Sequence, residues 1–139
     1  MQGKIRIYKK QEAIRVTFTF EAIDHIQLAA PKDSEETARK FFKDILGLNE
    51  VEKPEMLKTN GGVWFSYGNC HIHIGIEEPF LPAKKAHPAF EVKNSEALKN
   101  HLIANEIDVT EDNRIPNAKR FHFFDPFGNR IEIIEWILD

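Results

Sequence analysis

The stretch IDHIQLAAPKDSEETARKFFKDILGL, residues 23–48, decides the fold. Its first part, Ile23-Asp24-His25-Ile26-Gln27-Leu28, alternates apolar and polar residues as a half-buried strand does. After Pro31, Asp33 and Glu36 stand at the spacing of a capping box. Ala38, Phe41, Phe42, Ile45 and Leu46 then recur at i, i+3, i+4, i+7 and i+8, which predicts a helix over 34–46 with one apolar stripe. Gly47 follows where a left-handed residue would end it.

Three strand signals come next, near 49–53, 63–67 and 70–76, the last two joined by a Gly68-Asn69 turn. The same order then recurs. His87-Pro88-Ala89-Phe90-Glu91-Val92 reads as a strand, and Asn94 or Ser95 caps a helix over 95–105 carrying Leu98, Leu102 and Ile103. Strand signals follow near 108–111, 120–124 and 130–136, with a hairpin turn at Asp125-Pro126-Phe127-Gly128-Asn129. The expected class is α+β. Two tandem βαβββ modules, about 22–77 and 86–136, form a cup-shaped curved sheet with helices on its outer face.

Composition narrows the function. At 139 residues the chain is expected to be one domain, residues 21–139, behind an N-terminal extension over 1–20. That extension holds five basic residues against Glu12 alone, and it alternates, so it reads as strand. The whole chain carries a net charge of −3, and its main body is acidic, which argues against nucleic acid as a partner. No apolar run reaches the ~18–20 residues of a membrane span. The opening residues lack a signal-peptide core, and Cys70 is the single cysteine, so a cytoplasmic protein without disulfides is expected.

Strand alternation assigns faces. With Ile26 and Leu28 toward the helix, His25 and Gln27 point the other way. Ile72, Ile74 and Ile76 leave His71, His73 and Gly75 on the opposite face; Phe90 and Val92 likewise leave His87, Ala89 and Glu91. Ile131 and Ile133 leave Arg130, Glu132 and Ile134. His25, His87 and Glu132 then make a two-histidine, one-carboxylate set, with His73 or His71 as a fourth ligand. Imidazole and carboxylate suit Fe, Mn, Ni or Zn as a divalent metal. Glu91 is the candidate general base, with a supporting hydrogen-bond role as its plainer alternative. Arg130 would fix an anionic substrate, and Phe65, Tyr67, Phe123 and Trp64 would line the cup. His101 and His122 read as surface or hydrogen-bonded residues.

The segments Ile23-Asp24-His25-Ile26-Gln27-Leu28, Phe41-Phe42-Lys43-Asp44-Ile45-Leu46-Gly47-Leu48, Ala86-His87-Pro88-Ala89-Phe90-Glu91-Val92 and Asp125-Pro126-Phe127-Gly128-Asn129-Arg130-Ile131-Glu132 together resemble the vicinal oxygen chelate superfamily. This is the group of glyoxalase I, bleomycin resistance proteins and extradiol dioxygenases. The resemblance covers 22–136 and leaves the branch open. It implies paired modules around a divalent metal, with ligands at His25, His87 and Glu132, and commonly a homodimer. The family's fourth ligand position matches His73 better than His71. Glyoxalase I and methylmalonyl-CoA epimerase usually carry Glu or Gln there, so His73 departs from both. The implied function is a metal-dependent lyase, isomerase or related enzyme acting on a small oxygen-bearing substrate. In this reading Glu132 serves both as ligand and in catalysis, and Gln27, Arg130, Phe65, Tyr67 and Phe123 contact substrate. The alternative is a non-catalytic small-molecule binding protein of the bleomycin-resistance type.

Overall fold

The structure, a computed structural model, describes residues 17–138. Strands form where the sequence alternates: β1 Ile26–Ala30, β2 Asn49–Val51, β3 Val63–Tyr67, β4 Cys70–Ile76, β5 Ala89–Glu91, β6 Thr110–Glu111, β7 Ala118–Phe124 and β8 Arg130–Trp136. They make two four-stranded sheets, ordered β1-β4-β3-β2 and β5-β8-β7-β6. In each sheet the first strand runs parallel to the last and the other pairs are antiparallel. The two halves of the chain thus repeat one topology, and the class is mixed α+β. Most of the N-terminal extension expected to be strand lies outside the described residues. Residues 17–20 fall inside them and are not strand.

Helix α1 begins as Glu35–Ala38 and continues with π geometry over Arg39–Ile45, where the Leu46 N–H donates to Phe41 O at 2.9 Å. Gly47, left-handed at φ 80°, closes it as expected. The capping box does not form. Asp33 is itself left-handed at φ 64°, and Ser34 takes the cap position with its hydroxyl donating to Pro31 O. Glu35 instead accepts the Gly62 N–H at 2.7 Å and ties the helix to the loop before β3. Gly62 must be glycine there, because a Cβ would sit 2.2 Å from Ile74 O. A 3-10 segment, Glu55–Asn60, fills a stretch without clear periodicity.

Helix α2, Ser95–Ala104, starts at Asn94, whose side chain accepts the Ala97 N–H. Glu135 reinforces that start from β8. Its carboxylate accepts the N–H groups of Asn94 and Ser95 at 3.0 and 2.9 Å and the Ser95 hydroxyl at 2.7 Å. A carboxylate at a helix N-terminus meets unpaired N–H groups and the positive end of the dipole. Among the described residues no helix is long and apolar enough to cross a membrane.

The apolar stripes do what their spacing implies. Phe41, Phe42, Phe65, Ile72 and Ile74 from the first module join Leu102, Phe121, Phe123, Ile131 and Ile133 from the second in one buried cluster. Each buried Phe or Ile side chain adds roughly 1.5–3 kcal/mol. Phe41 meets Phe123 across the junction, with ring centroids 6.0 Å apart. His101 Nε2 lies 2.7 Å from Ile45 O, and Asn129 donates to Ala29 O at 2.8 Å. The helix-covered faces of the two modules therefore face each other within the chain. Between them lies an apolar cavity of about 620 Å³, bordered by Leu46, Leu48, Phe90, Leu98 and Ile131. The polar faces point away from this core.

Candidate functional site

On the polar face of the first sheet, His73 is 9% exposed although it stands on a strand face that carries His71 in the open. Two rings cover it. Trp64, its cross-strand partner, stacks at 3.8 Å with an interplanar angle of 2°, and His25 stacks on it at 4.0 Å and 19°. His25 Nδ1 donates to Asp24 Oδ2 at 2.9 Å, which orients the ring and leaves Nε2 as its acceptor. That hydrogen bond holds the Asp24 carboxyl below its ordinary value. Gln27 sits beside His73 in register, and its amide packs over Gly75, where a Cβ would come within 2.2 Å of Nε2. The first half-site is thus a pair of stacked imidazoles on a rigid aromatic slab.

On the polar face of the second sheet, Glu132 is held from two sides. Its Oε2 accepts from Arg120 Nε at 2.8 Å, and its Oε1 lies 3.0 Å from His87 Nε2. Arg120 also reaches Asp112 at 3.4 Å. The Arg120 and Glu132 side chains are only 14% and 13% exposed, so this pair is shielded more than a surface ion pair. Burial alone would raise the Glu132 carboxyl, but Arg120 and His87 outweigh it and hold it below the ordinary glutamate value.

The His87 ring carries the informative geometry. Its Nδ1 is 2.8 Å from Lys85 O, a carbonyl that only accepts, so Nδ1 carries a proton. In the neutral ring Nε2 then presents a lone pair to a carboxylate oxygen, an arrangement that requires a second proton or a cation between them. Two ligands at bonds of ~2.1 Å and right angles stand about 3.0 Å apart, so the observed separation fits a shared divalent ion. Imidazole plus carboxylate is also the right donor chemistry. The donor types present fit the divalent metal that the resemblance implies.

The structure brings His25 to His73 and His87 to Glu132. Among the described residues no three His, Cys, Asp or Glu side chains gather at one point within the chain. This follows from the fold, because the half-sites lie on polar faces turned outward from a shared core. Gln27 stands at the first half-site and Arg130 on the Glu132 face of β8. Glu91 is exposed at the end of β5, in register with Ile134. Three of the expected cup-lining aromatics are placed elsewhere. Phe65 and Phe123 are fully buried on the helix side, packed against Phe42 and Phe41, because alternation from Val63 and Phe121 sends them inward. Tyr67 is exposed at the margin of the inner cavity.

Sequence reasoning passed over Asp24 and Arg120 and read His122 as a surface or hydrogen-bonded residue. Arg120 and His122 alternate with the buried Phe121 and Phe123, and His122 lies directly across from Glu132 in register. The same face rule that selected Glu132 would have found both.

The histidines also set a pH dependence. Burial, followed by the charges on His25 and His71, lowers the His73 pKa below its ordinary 6.5. Burial and Arg130 lower His122 likewise. A depressed histidine favours the neutral folded state, so its contribution is complete above about pH 6.5 and is lost as pH falls toward the folded value. The urea midpoint of chelator-treated protein should therefore drop between pH 7.5 and 5.5. The double variant His73→Gln, His122→Gln should show a smaller drop, and an equal drop would refute the assignment.

Comparison with known proteins agrees with this architecture. The sequence model of the Glyoxalase/Bleomycin resistance protein/Dioxygenase superfamily matches residues 22–133. The crystal structure of a putative glyoxalase family protein from Bacillus anthracis is 48% identical, covers 87% of this chain and 99% of its own, and superposes with a TM-score of 0.84. A lactoylglutathione lyase from Agrobacterium tumefaciens is 25% identical over 82% of this chain and 92% of its own, with a TM-score of 0.64. TnmS3, an antibiotic binding protein from a Streptomyces species, shares the fold at 18% identity, 84% and 99% coverage and a TM-score of 0.65. No curated protein matches the chain in sequence.

Proposed function

The chain belongs to the Glyoxalase/Bleomycin resistance protein/Dioxygenase superfamily, and from that premise we propose that it is a metal-dependent enzyme acting on a small substrate with adjacent oxygens. The superfamily includes a lactoylglutathione lyase and a fosfomycin resistance protein, as well as an antibiotic binding protein. The observation that supports the proposal is the His87–Glu132 pair, whose facing acceptors require either a second proton on the ring or a cation between them. In this reading His25, His73, His87 and Glu132 hold one divalent ion, Fe, Mn, Ni or Zn. Because the half-sites do not meet within one chain, His25 and His73 come from one copy of a homodimer and His87 and Glu132 from the other.

The metal supplies Lewis-acid polarisation of the substrate's oxygens. This chain's own residues do the rest. Arg120 fixes the plane of the Glu132 carboxylate through Oε2, leaving Oε1 beside His87. Lys85 O and Asp24 orient the His87 and His25 rings, and the Trp64 slab shields His73 from water. Gln27, in register beside His73, would hydrogen-bond a substrate oxygen. Glu91, outward-facing on the strand after His87, is the candidate proton acceptor.

A second reading has its own support. The apolar cavity between the modules and the partners Glu132 already has both suit a non-catalytic small-molecule binding protein. Metal content separates the two. Protein purified without chelator or affinity tag should carry about one divalent ion per chain, or take up about one on titration with Mn, Ni, Zn or Fe salts. Absence of stoichiometric binding for all four favours the binding protein.

A further inference from the structure

Arg130 is half-buried on the polar face of β8, its Nε is screened from solvent, and that nitrogen has no hydrogen-bond partner among the described residues. The other guanidinium groups nearby are matched: Arg120 pairs with Glu132 and Asp112, and Arg114 pairs with Asp112 at 2.6 Å. Arg120 and Arg114 thus share the carboxylates of Asp112 and Glu132, while Arg130 has no ion-pair partner among the described residues. A buried unpaired donor costs roughly 1–3 kcal/mol, so the position is unfavourable unless something arrives to accept from it.

The backbone around Arg130 is stiff. Asp125 accepts from the Phe127 and Asn129 N–H groups at 2.9 and 2.8 Å and from the Asn129 amide at 2.8 Å. Asn129 also donates to Ala29 O, so the turn that presents Arg130 is pinned to β1. Arg130 lies two residues from Glu132, roughly 6.6–6.8 Å along the strand, and diagonal to His122 across the β7–β8 pair. A guanidinium whose Nε has no partner, held on a stiff backbone, has the planar donor fork that matches the two oxygens of a carboxylate, phosphonate or phosphate group.

We propose that Arg130, with His122 beside it, is an oxyanion subsite, and that the substrate carries a carboxylate, phosphonate or phosphate group within a few bonds of the oxygens it offers near Glu132. The subsite stands on the geometry of β7 and β8; its assignment to the substrate rests on the proposed function.

The test is titration of chelator-treated protein with acetate, methylphosphonate and inorganic phosphate in low-salt buffer, followed by calorimetry and backbone amide shifts. Saturable binding of at least one anion, with shifts at Arg130 and His122, is expected, and which anion binds tightest names the group. Arg130→Gln should weaken that binding about tenfold or more, or 1.4 kcal/mol. Arg130→Lys should recover part of it, and Arg114→Gln, which removes an exposed charge, should change little. Metal uptake and dimerisation are measured on the same variants. No saturable binding in the wild type overturns the proposal. So does an Arg130→Gln variant that keeps its anion affinity but loses metal or dimer, which would make Arg130 structural. If anions bind through Arg130 and no metal binds, the subsite stands and the enzyme reading fails. Metal uptake without anion binding gives the reverse.

Discussion

Replacing Glu132 by Gln should lower divalent-metal affinity at least about 100-fold and abolish metal-dependent turnover. Glu132 is the only anionic residue among the four proposed ligands, and a neutral amide oxygen is a much weaker donor. The substitution also removes the reason for a cation. The amide it introduces could donate directly to His87 Nε2, satisfying the lone pair that now faces Oε1. Outer partners of metal ligands typically cost 10–100-fold when removed, and a ligand itself should exceed that range. Folding should survive. Arg120 loses one carboxylate but keeps Asp112 at 3.4 Å, so the stability loss should be about 1–2 kcal/mol rather than that of an isolated buried charge. Metal titration and a denaturation curve on one sample separate the effects. A folded variant that binds metal as tightly as wild type would remove Glu132 from the site.

That experiment bears on how much of the site the sequence carried. Period-two alternation placed His25, His73, His87 and Glu132 on the polar faces without any structure, because Ile72, Ile74, Ile131 and Ile133 left no other choice. The duplicated order of elements gave both sheets for the same reason. Alternation says nothing about which way a whole sheet is turned relative to the other. That depends on whether Phe41 meets Phe123, a long-range contact with no local signature. Phe65 and Phe123 were misread for a different reason. Both read as pocket-lining aromatics by type, while their parity already put them inside. The Asp33–Glu36 spacing failed for a backbone reason, since a capping box needs an extended cap residue and Asp33 is left-handed. His73 was legible as a ligand type but its slab was not, because stacking on Trp64 requires the β3–β4 register.

The orientation of the sheets leads to the second large effect, which appears only in mixtures. Ile72 and Ile74 behind His73, and Ile131 and Ile133 behind Glu132, belong to one core, so the two half-sites point out of the chain on separate faces. An isologous dimer can join the first half-site of each copy to the second of the other, producing two equivalent centres. A variant carrying His25→Ala and His73→Ala should bind no metal, and neither should one carrying His87→Ala and Glu132→Gln. In a heterodimer of the two, one centre collects all the substitutions and the other keeps all four ligands. Random reassortment of an equimolar mixture makes half the dimers mixed, so metal binding should return to about a quarter of the wild-type value per chain. If one chain built its own centre, mixing would restore nothing, and the mixture would stay at the background of its parts. A wild-type protein that sediments as a monomer at micromolar concentration while binding stoichiometric metal would also end the shared-site proposal. The complementation measurement needs no knowledge of the substrate, which makes it decisive before any reaction is identified.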